Sequence, residues 1–390
     1  MTVDLKQLER LAPAFKTLRR EFHARPEASG KEFQTSEKIA SLLQSWGLEV
    51  HRGIAQTGIV AFIRKGTGKK CIALRADMDA LPIVEQNRFA HASKNPGLMH
   101  ACGHDGHMAT LLLATRYLIE YGRFDGTVEL IFQPSEEQDG GAGYMIAEGI
   151  LEKYPAYCYY AYHNWPDVPE GKIGLNRAAI MASCNFFSIR IAPKTPPALT
   201  DPVMVSVILA QSLQGIISRM KRPIDPAVLS ICCIETQSSP CGRAEAVTLT
   251  GTARTFSESV TDLLDREMHR IAEHLASAFN AEARVQFVRQ VKPTVNNAAC
   301  AERLYKAVKS LFGEEKVHET EPVMPSEDFS EFLSRRPGAL FFVSNGPGSH
   351  REEGHGAGPC ALHNPSYDFN DECLVPAAAV FAQVVEDYLQ

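Results

Sequence analysis

Val128-Glu129-Leu130-Ile131-Phe132-Gln133-Pro134-Ser135-Glu136-Glu137 reads as a buried strand that stops at a proline and opens at once onto two adjacent acids. Branched and aromatic residues favour the extended chain, and Pro134 ends it. Open α/β sheets place their chemistry just beyond such strand ends. Upstream, Gly58-Ile59-Val60-Ala61-Phe62-Ile63 and Cys71-Ile72-Ala73-Leu74-Arg75 are two more short apolar runs of the same kind. Residues 5–25, 32–46 and 110–121 carry the apolar spacing of amphipathic helices, the second stopped by Gly47. This alternation predicts an α/β fold.

The pattern changes near Ala182. Strands are expected at 186–191, 228–235 and 246–253 and helices at 203–220 and 258–281, the order of a separate α+β insert with its own small sheet. A chain of 390 residues exceeds what one core usually organises. Candidate ligands flank the insert, His163 before it and His363 after. Residues 1–182 and 297–390 are therefore expected to form one discontinuous domain, with 183–296 inserted between them.

Composition narrows the function classes. A formal charge of −6 without long blocks of one sign argues against a nucleic-acid partner. The ten cysteines are scattered, which fits reduced thiols and a cytoplasmic protein. The first twenty residues carry no secretory pattern, and no apolar run is read as approaching the roughly 18 residues of a membrane span.

Met99-His100-Ala101-Cys102-Gly103-His104-Asp105-Gly106-His107 reads as the nucleus of a metal site. Cys102 and His104 offer sulfur and imidazole one residue apart, and Gly103 lets the backbone bend between them. Two ligands do not hold a metal. The remaining candidates are Glu136, Glu137, His163 and His363. Two divalent ions sharing a water would acidify it and polarise a carbonyl together. In extended backbone, adjacent acids point apart, so one can ligate while the other acts as base. Mixed sulfur, nitrogen and oxygen donors suit zinc, cobalt or manganese. His100 and His107 are expected to support or pack the window, and His23 to cap or pack a helix. His350 and His355 lie in a glycine-rich loop that either touches substrate or is solvated. Glu327 and Asp328 either tie a helix to a loop or meet substrate, and Phe186 and the pair Cys232-Cys233 are expected in the core.

Taken with Arg75-Ala76-Asp77-Met78-Asp79-Ala80-Leu81-Pro82, His163-Asn164-Trp165-Pro166, Ser326-Glu327-Asp328-Phe329 and Leu362-His363-Asn364-Pro365, these motifs run in order through the chain. Together they resemble the M20 metallopeptidases, in the amidohydrolase branch of hippurate hydrolases, auxin-conjugate hydrolases and N-acetyl-amino-acid deacetylases. The resemblance implies a catalytic domain with a mixed central sheet flanked by helices, interrupted by a smaller lid domain often used for dimerisation. It implies two divalent ions (manganese, zinc or cobalt) on Cys102, His104, Glu137, His163 and His363, with Glu136 as general acid/base. Asp79 is counted with Glu136 among the catalytic residues, as the acid that orients the ligand shell. The implied reaction is hydrolysis of a small N-acyl amino acid by metal-activated water, in a possible homodimer with no nucleic-acid or membrane partner.

The lid departs from that pattern. Members usually carry a histidine in a glycine-rich segment before the lid Asp-Pro, where it stabilises the oxyanion. Here Ile191-Ala192-Pro193-Lys194-Thr195-Pro196-Pro197-Ala198-Leu199-Thr200-Asp201-Pro202 is shorter and has none. Cys241 stands where a later asparagine is expected, and Lys194 and Arg243 are the cations positioned to substitute as donors. Losing one oxyanion donor can cost about a hundredfold in rate. The alternative is therefore a weakly active or inactive homologue that serves as a metal- or ligand-binding protein. A third reading, a thiol hydrolase with Cys102 as nucleophile and His104 as base, leaves the acid pair unexplained.

Overall fold

The computed structural model describes residues 2–138, 140–194, 200–238 and 244–390 and divides into two compact units. One comprises Met1–Ala178, Asn296–Glu321 and Glu331–Gln390, the other Ala179–Val295 and Pro322–Ser330. The second unit thus takes in a short stretch that the sequence reading left with the catalytic segments.

The first unit is built on an eight-stranded mixed sheet. Its strands are β1 (Glu49–Ile54), β2 (Gly58–Lys65), β3 (Cys71–Asp77), β4 (Gly126–Gln133), β5 (Cys158–Trp165), β6 (Ile173–Leu175), β13 (Val317–Glu319) and β14 (Gly338–Ser344). They run in the order β1-β2-β4-β3-β5-β14-β6-β13. The central four, β4, β3, β5 and β14, are mutually parallel. Parallel strands are covered on both faces, which is why they appear in the sequence as unbroken apolar runs rather than alternating ones. The helices Leu5–His23, His104–Glu120, Ala298–Phe312 and Leu374–Tyr388 pack together over one face, around Leu112, Phe341, Val380 and Phe381. From β3 the chain returns on one side as β4 and later on the other as β5. The carboxyl ends of these three strands therefore meet at a topological switch point, where such sheets open a crevice.

Glu129 interrupts the apolar run of β4 and faces away from the helix-covered core. Its side chain is fully buried and neither carboxylate oxygen has a hydrogen-bond partner. Across Ala73 in the same register, the Tyr159 hydroxyl is likewise unpartnered. Burial alone holds the Glu129 carboxyl protonated well above the ordinary glutamate value of 4.5. The folded chain thus keeps a proton that the unfolded chain gives up, so stability present below about pH 4.5 is lost progressively as pH rises. The loss is at most about 1.4 kcal/mol per pH unit. Glu129→Gln removes the ionisation. Thermal melts at pH 6 and pH 9 should show wild type losing more Tm than the variant, and parallel losses would overturn this account.

The second unit holds a four-stranded antiparallel sheet, β11-β8-β10-β9, and a two-stranded ribbon. The sheet strands are β8 (Cys184–Pro193), β9 (Ala227–Ser238), β10 (Ala244–Thr255) and β11 (Ala281–Val291), and the ribbon pairs β7 (Ala179–Met181) with β12 (Thr294–Val295). The helices Pro202–Gly215 and Glu258–Ala278 cover one face, burying Ile189, Ile191, Leu209, Leu249, Leu264 and Met268. The other face is open, which corrects two expectations. Phe186 is 46% exposed, and Cys232 and Cys233, on the edge strand β9, are both exposed rather than in the core. A third correction concerns Pro202–Met220, whose mean hydropathy of 1.4 over a helix of 19 residues reaches membrane-span length and composition. Within the unit, Val205, Leu209 and Leu213 of this helix pack into the core. Positions 195–199, Cys241 and Arg243 lie outside the described residues. Lys194 donates its amine to Ser277 Oγ (3.2 Å).

Candidate metal centre

The helix expected from residue 110 begins earlier, at His104, so the metal window is itself a helix start. Gly103 caps it in the left-handed region (φ +95°), and the Gly106 and His107 amides donate to its carbonyl. A Cβ at Gly103 would lie 2.3 Å from Asn164 Oδ1 and 2.8 Å from Tyr367 Oη. No other residue satisfies both the turn and the contact. Gly103→Ala should therefore lower metal affinity by about tenfold or more through displacement of Cys102 and His104. Metal content after dialysis checks this, and undiminished content would sink it.

The other candidates come from three separate segments, two loops and a strand. Beyond β4, Ser135 turns the chain at φ +55°, its amide held by Glu32 Oε1 (2.9 Å), and so presents Glu136 and Glu137. His163 lies in β5, two residues from its end. His363 follows β14 with φ +62°, a conformation held by the hydrogen bond that its backbone N–H donates to Ala101 O (2.8 Å). That bond ties the last candidate ligand to the first window.

The side chains converge. Cys102 Sγ lies 3.4 Å from His163 Nε2, His104 Nε2 3.7 Å from Glu137 Oε1 and 4.0 Å from Glu136 Oε2, and His363 Nε2 3.4 Å from Glu137 Oε1. Three of the donor groups close enough to hold a cation join the expected ligands: Cys102 with His104 and His163, Cys102 with Glu137 and His363, and His104 with both acids. His104 Nε2 and Glu137 Oε1 are buried without hydrogen-bond partners, so each lacks a counterpart that a cation would provide. The donor set fits the group the sequence implies.

Neighbours fix the orientation of these donors. His104 Nδ1 donates to the Asp79 carbonyl (2.9 Å) and His163 Nδ1 to the Asn164 carbonyl (2.7 Å), which turns each Nε2 inward. The Asp79 carboxylate accepts from the amides of Glu136 (3.1 Å) and Glu137 (3.0 Å) and from Ser29 Oγ (2.6 Å). Asp79 thus aligns both acids while its own oxygens are engaged, the geometry of a positioning residue rather than a catalytic one. His107 has both ring nitrogens engaged, on Asp77 Oδ1 (2.6 Å) and Asn164 Oδ1 (2.7 Å), and supports the window from behind. His100 is buried and neutral, its pKa lowered by desolvation to about 4. Ser29, Glu32 and Asn164 escaped the sequence reading as supports. Asn164 alone had a signal, its place beside His163.

Electrostatics favours a cation. Burial, then Glu137, Glu136 and Asp77, push the Cys102 thiol well above its ordinary range. Burial works against the charged form of His104, yet Asp77 and Asp79 outweigh it and raise its pKa to about 10. Burial and the neighbouring His107 hold His163 well below 6.5, so its imidazole is neutral and can ligate. The imidazole within hydrogen-bond reach of Cys102 is that of His163, not the His104 that the thiol-hydrolase reading pairs with it.

Elsewhere in the first unit, His23 is buried between Asp105 Oδ2 (2.8 Å) and Glu85 Oε1 (3.1 Å) at the end of its helix. His355 pairs with Asp368 Oδ2 (3.1 Å). In the second unit, Glu327 Oε1 accepts from the Phe329 amide (2.9 Å).

Known proteins resemble this chain. A family model described as peptidase family M20/M25/M40 matches residues 73–387. The chain is 33% identical over 382 residues to a hippurate hydrolase of Campylobacter jejuni, covering 96% of this chain and 97% of that protein. It is 35% identical over 384 residues to an IAA-amino acid hydrolase, ILR1-like 2, of Arabidopsis thaliana, covering 96% and 84%. The crystal structure of the Bacillus subtilis YXEP protein, described as a dinuclear metal-binding peptidase from the M20 family, superposes with a TM-score of 0.85 at 29% identity, covering 98% and 99%.

Proposed function

The chain belongs to peptidase family M20/M25/M40, and from that membership we propose that it is a metal-dependent amidohydrolase cleaving small N-acyl amino acids of the hippurate or N-acetyl type. The observation that carries this reading is the convergence of Cys102, His104, Glu136, Glu137, His163 and His363 around the unpartnered His104 Nε2 and Glu137 Oε1. Cys102, His104, Glu137, His163 and His363 would hold two divalent ions of manganese, zinc or cobalt, which would supply acidification of a water and polarisation of the scissile carbonyl.

The remaining work falls to the chain's own groups. Glu136 takes a proton from the attacking water and returns it to the departing amine, the two halves of general acid/base catalysis. Asp79 holds the Glu136 and Glu137 backbones in register, so the acid and the ligand cannot exchange roles. We assign the second unit as a lid, with a homodimer formed through it, and the cytoplasm as the setting. The missing lid histidine favours one alternative, a homologue that binds metal without efficient turnover.

A single series separates the two. The purified protein is stripped with chelator, reloaded with manganese, cobalt or zinc, and offered N-benzoyl, N-acetyl and indole-3-acetyl amino acids. Amino-acid release that returns with metal and is absent in Glu136→Gln supports the hydrolase. Tight metal uptake without turnover on any substrate gives the alternative its place.

A further inference from the structure

A cavity of about 500 Å³ opens in the first unit where β6 and β14 meet the start of the helix Leu374–Tyr388. It shares no lining residue with the metal centre, and its volume is that of a small-molecule site. Ile173, Phe312, Val343 and Pro376 provide apolar wall, while Lys172, Lys316, Glu170 and Glu372 bring charged groups to the same space, Glu170 Oε1 also accepting from Ser349 Oγ (2.7 Å). Among the described residues, no carboxylate pairs with Lys172 or Lys316 and no cation pairs with Glu372. Gly171, at φ +72°, leaves room beside Lys316 Nζ, which would lie 3.4 Å from a Cβ there.

The cavity thus presents two kinds of polar group beside one apolar wall: cationic donors from Lys172 and Lys316, and carboxylate acceptors from Glu170 and Glu372.

We infer that this cavity binds a free α-amino acid with an apolar side chain, its carboxylate on Lys172 and Lys316, its ammonium on Glu372, and its side chain against Phe312 and Val343. The assignment stands on these groups alone and does not depend on the hydrolase reading. If that reading also holds, the ligand is of the class the reaction releases.

The test is calorimetric titration of the full-length, metal-loaded protein with L-phenylalanine and with 3-phenylpropanoate, which lacks the ammonium. Phenylalanine should bind saturably, and about tenfold or more tighter than 3-phenylpropanoate. Lys172→Glu with Lys316→Glu should weaken both by about tenfold or more, and Glu372→Gln should remove the preference for phenylalanine. These side chains reach solvent at the cavity mouth, and thermal melts verify that the variants fold. Phenylalanine binding that is unchanged in both variants, or no saturable binding at all, would overturn the inference. Hydrolysis is followed in parallel, so absence of turnover with intact phenylalanine binding counts against the proposed function and not against this site.

Discussion

Glu136→Gln lowers kcat by about 10³-fold while the metal content stays at the wild-type level. Removing a positioned general base typically costs 10²–10⁴-fold, and Glu136 is asked to act twice, on the water and on the leaving amine. The amide is isosteric, and the backbone bond from Glu136 N to Asp79 Oδ1 (3.1 Å) does not involve the side chain. The neighbouring Glu137 keeps its place 3.7 Å from His104 and 3.4 Å from His363. The ligand set is therefore intact and the loss is purely one of proton transfer. Steady-state rates on the best substrate of the panel, paired with metal analysis of the same sample, decide the matter. A variant that keeps more than about a tenth of the activity removes Glu136 from the role.

Cys102→Ala has a comparable effect on turnover by a different route, because it takes the metal away. Cys102 belongs to two separate donor groups, with His104 and His163 and with Glu137 and His363, so its loss disturbs both halves of the centre. Even the removal of a group that merely supports a ligand typically costs 10–100-fold in metal affinity. A ligand shared by both halves should cost at least about a hundredfold, read as metal retained after dialysis against a graded chelator. The outcome separates the metal and thiol readings once more. Activity lost with metal fully retained would make Cys102 a nucleophile rather than a ligand.

Much of this site was legible in the residues because its parts are local. The spacing of Cys102, Gly103 and His104 announces a bent backbone carrying two donors, and the structure adds φ +95° at Gly103 and a contact that excludes any side chain there. The apolar run before Glu136 and Glu137 places acids at a strand end, and β4 ends at Gln133 as that reading requires. Other features stayed hidden. Polar residues 104–107 look like loop, yet they form the first turn of a helix, since its cap is a glycine conformation with no side-chain signal. Glu129 reads as one more residue of a strand, and nothing local reveals that both its oxygens lack a partner. Phe186 and the Cys232-Cys233 pair look like core because apolar residues usually are. They are exposed because one face of their sheet carries no helices and β9 lies at its edge.

By itself the sequence determined the α/β class, the inserted second unit, the family and the identity of the converging donors. Those properties depend on residue type, on periodicity and on motifs a few residues long, all of which are written along the chain. Tertiary structure alone decided that the Asp79 carbonyl and carboxylate orient His104, Glu136 and Glu137, and that Ser29 and Glu32 brace them from a distant segment. It alone brought Lys172, Lys316, His350 and Glu372 to one cavity. Such relations join residues separated by 22 to 200 positions, and they exist only once the parallel strands and their connections have packed, because packing and not local preference sets which side chains meet.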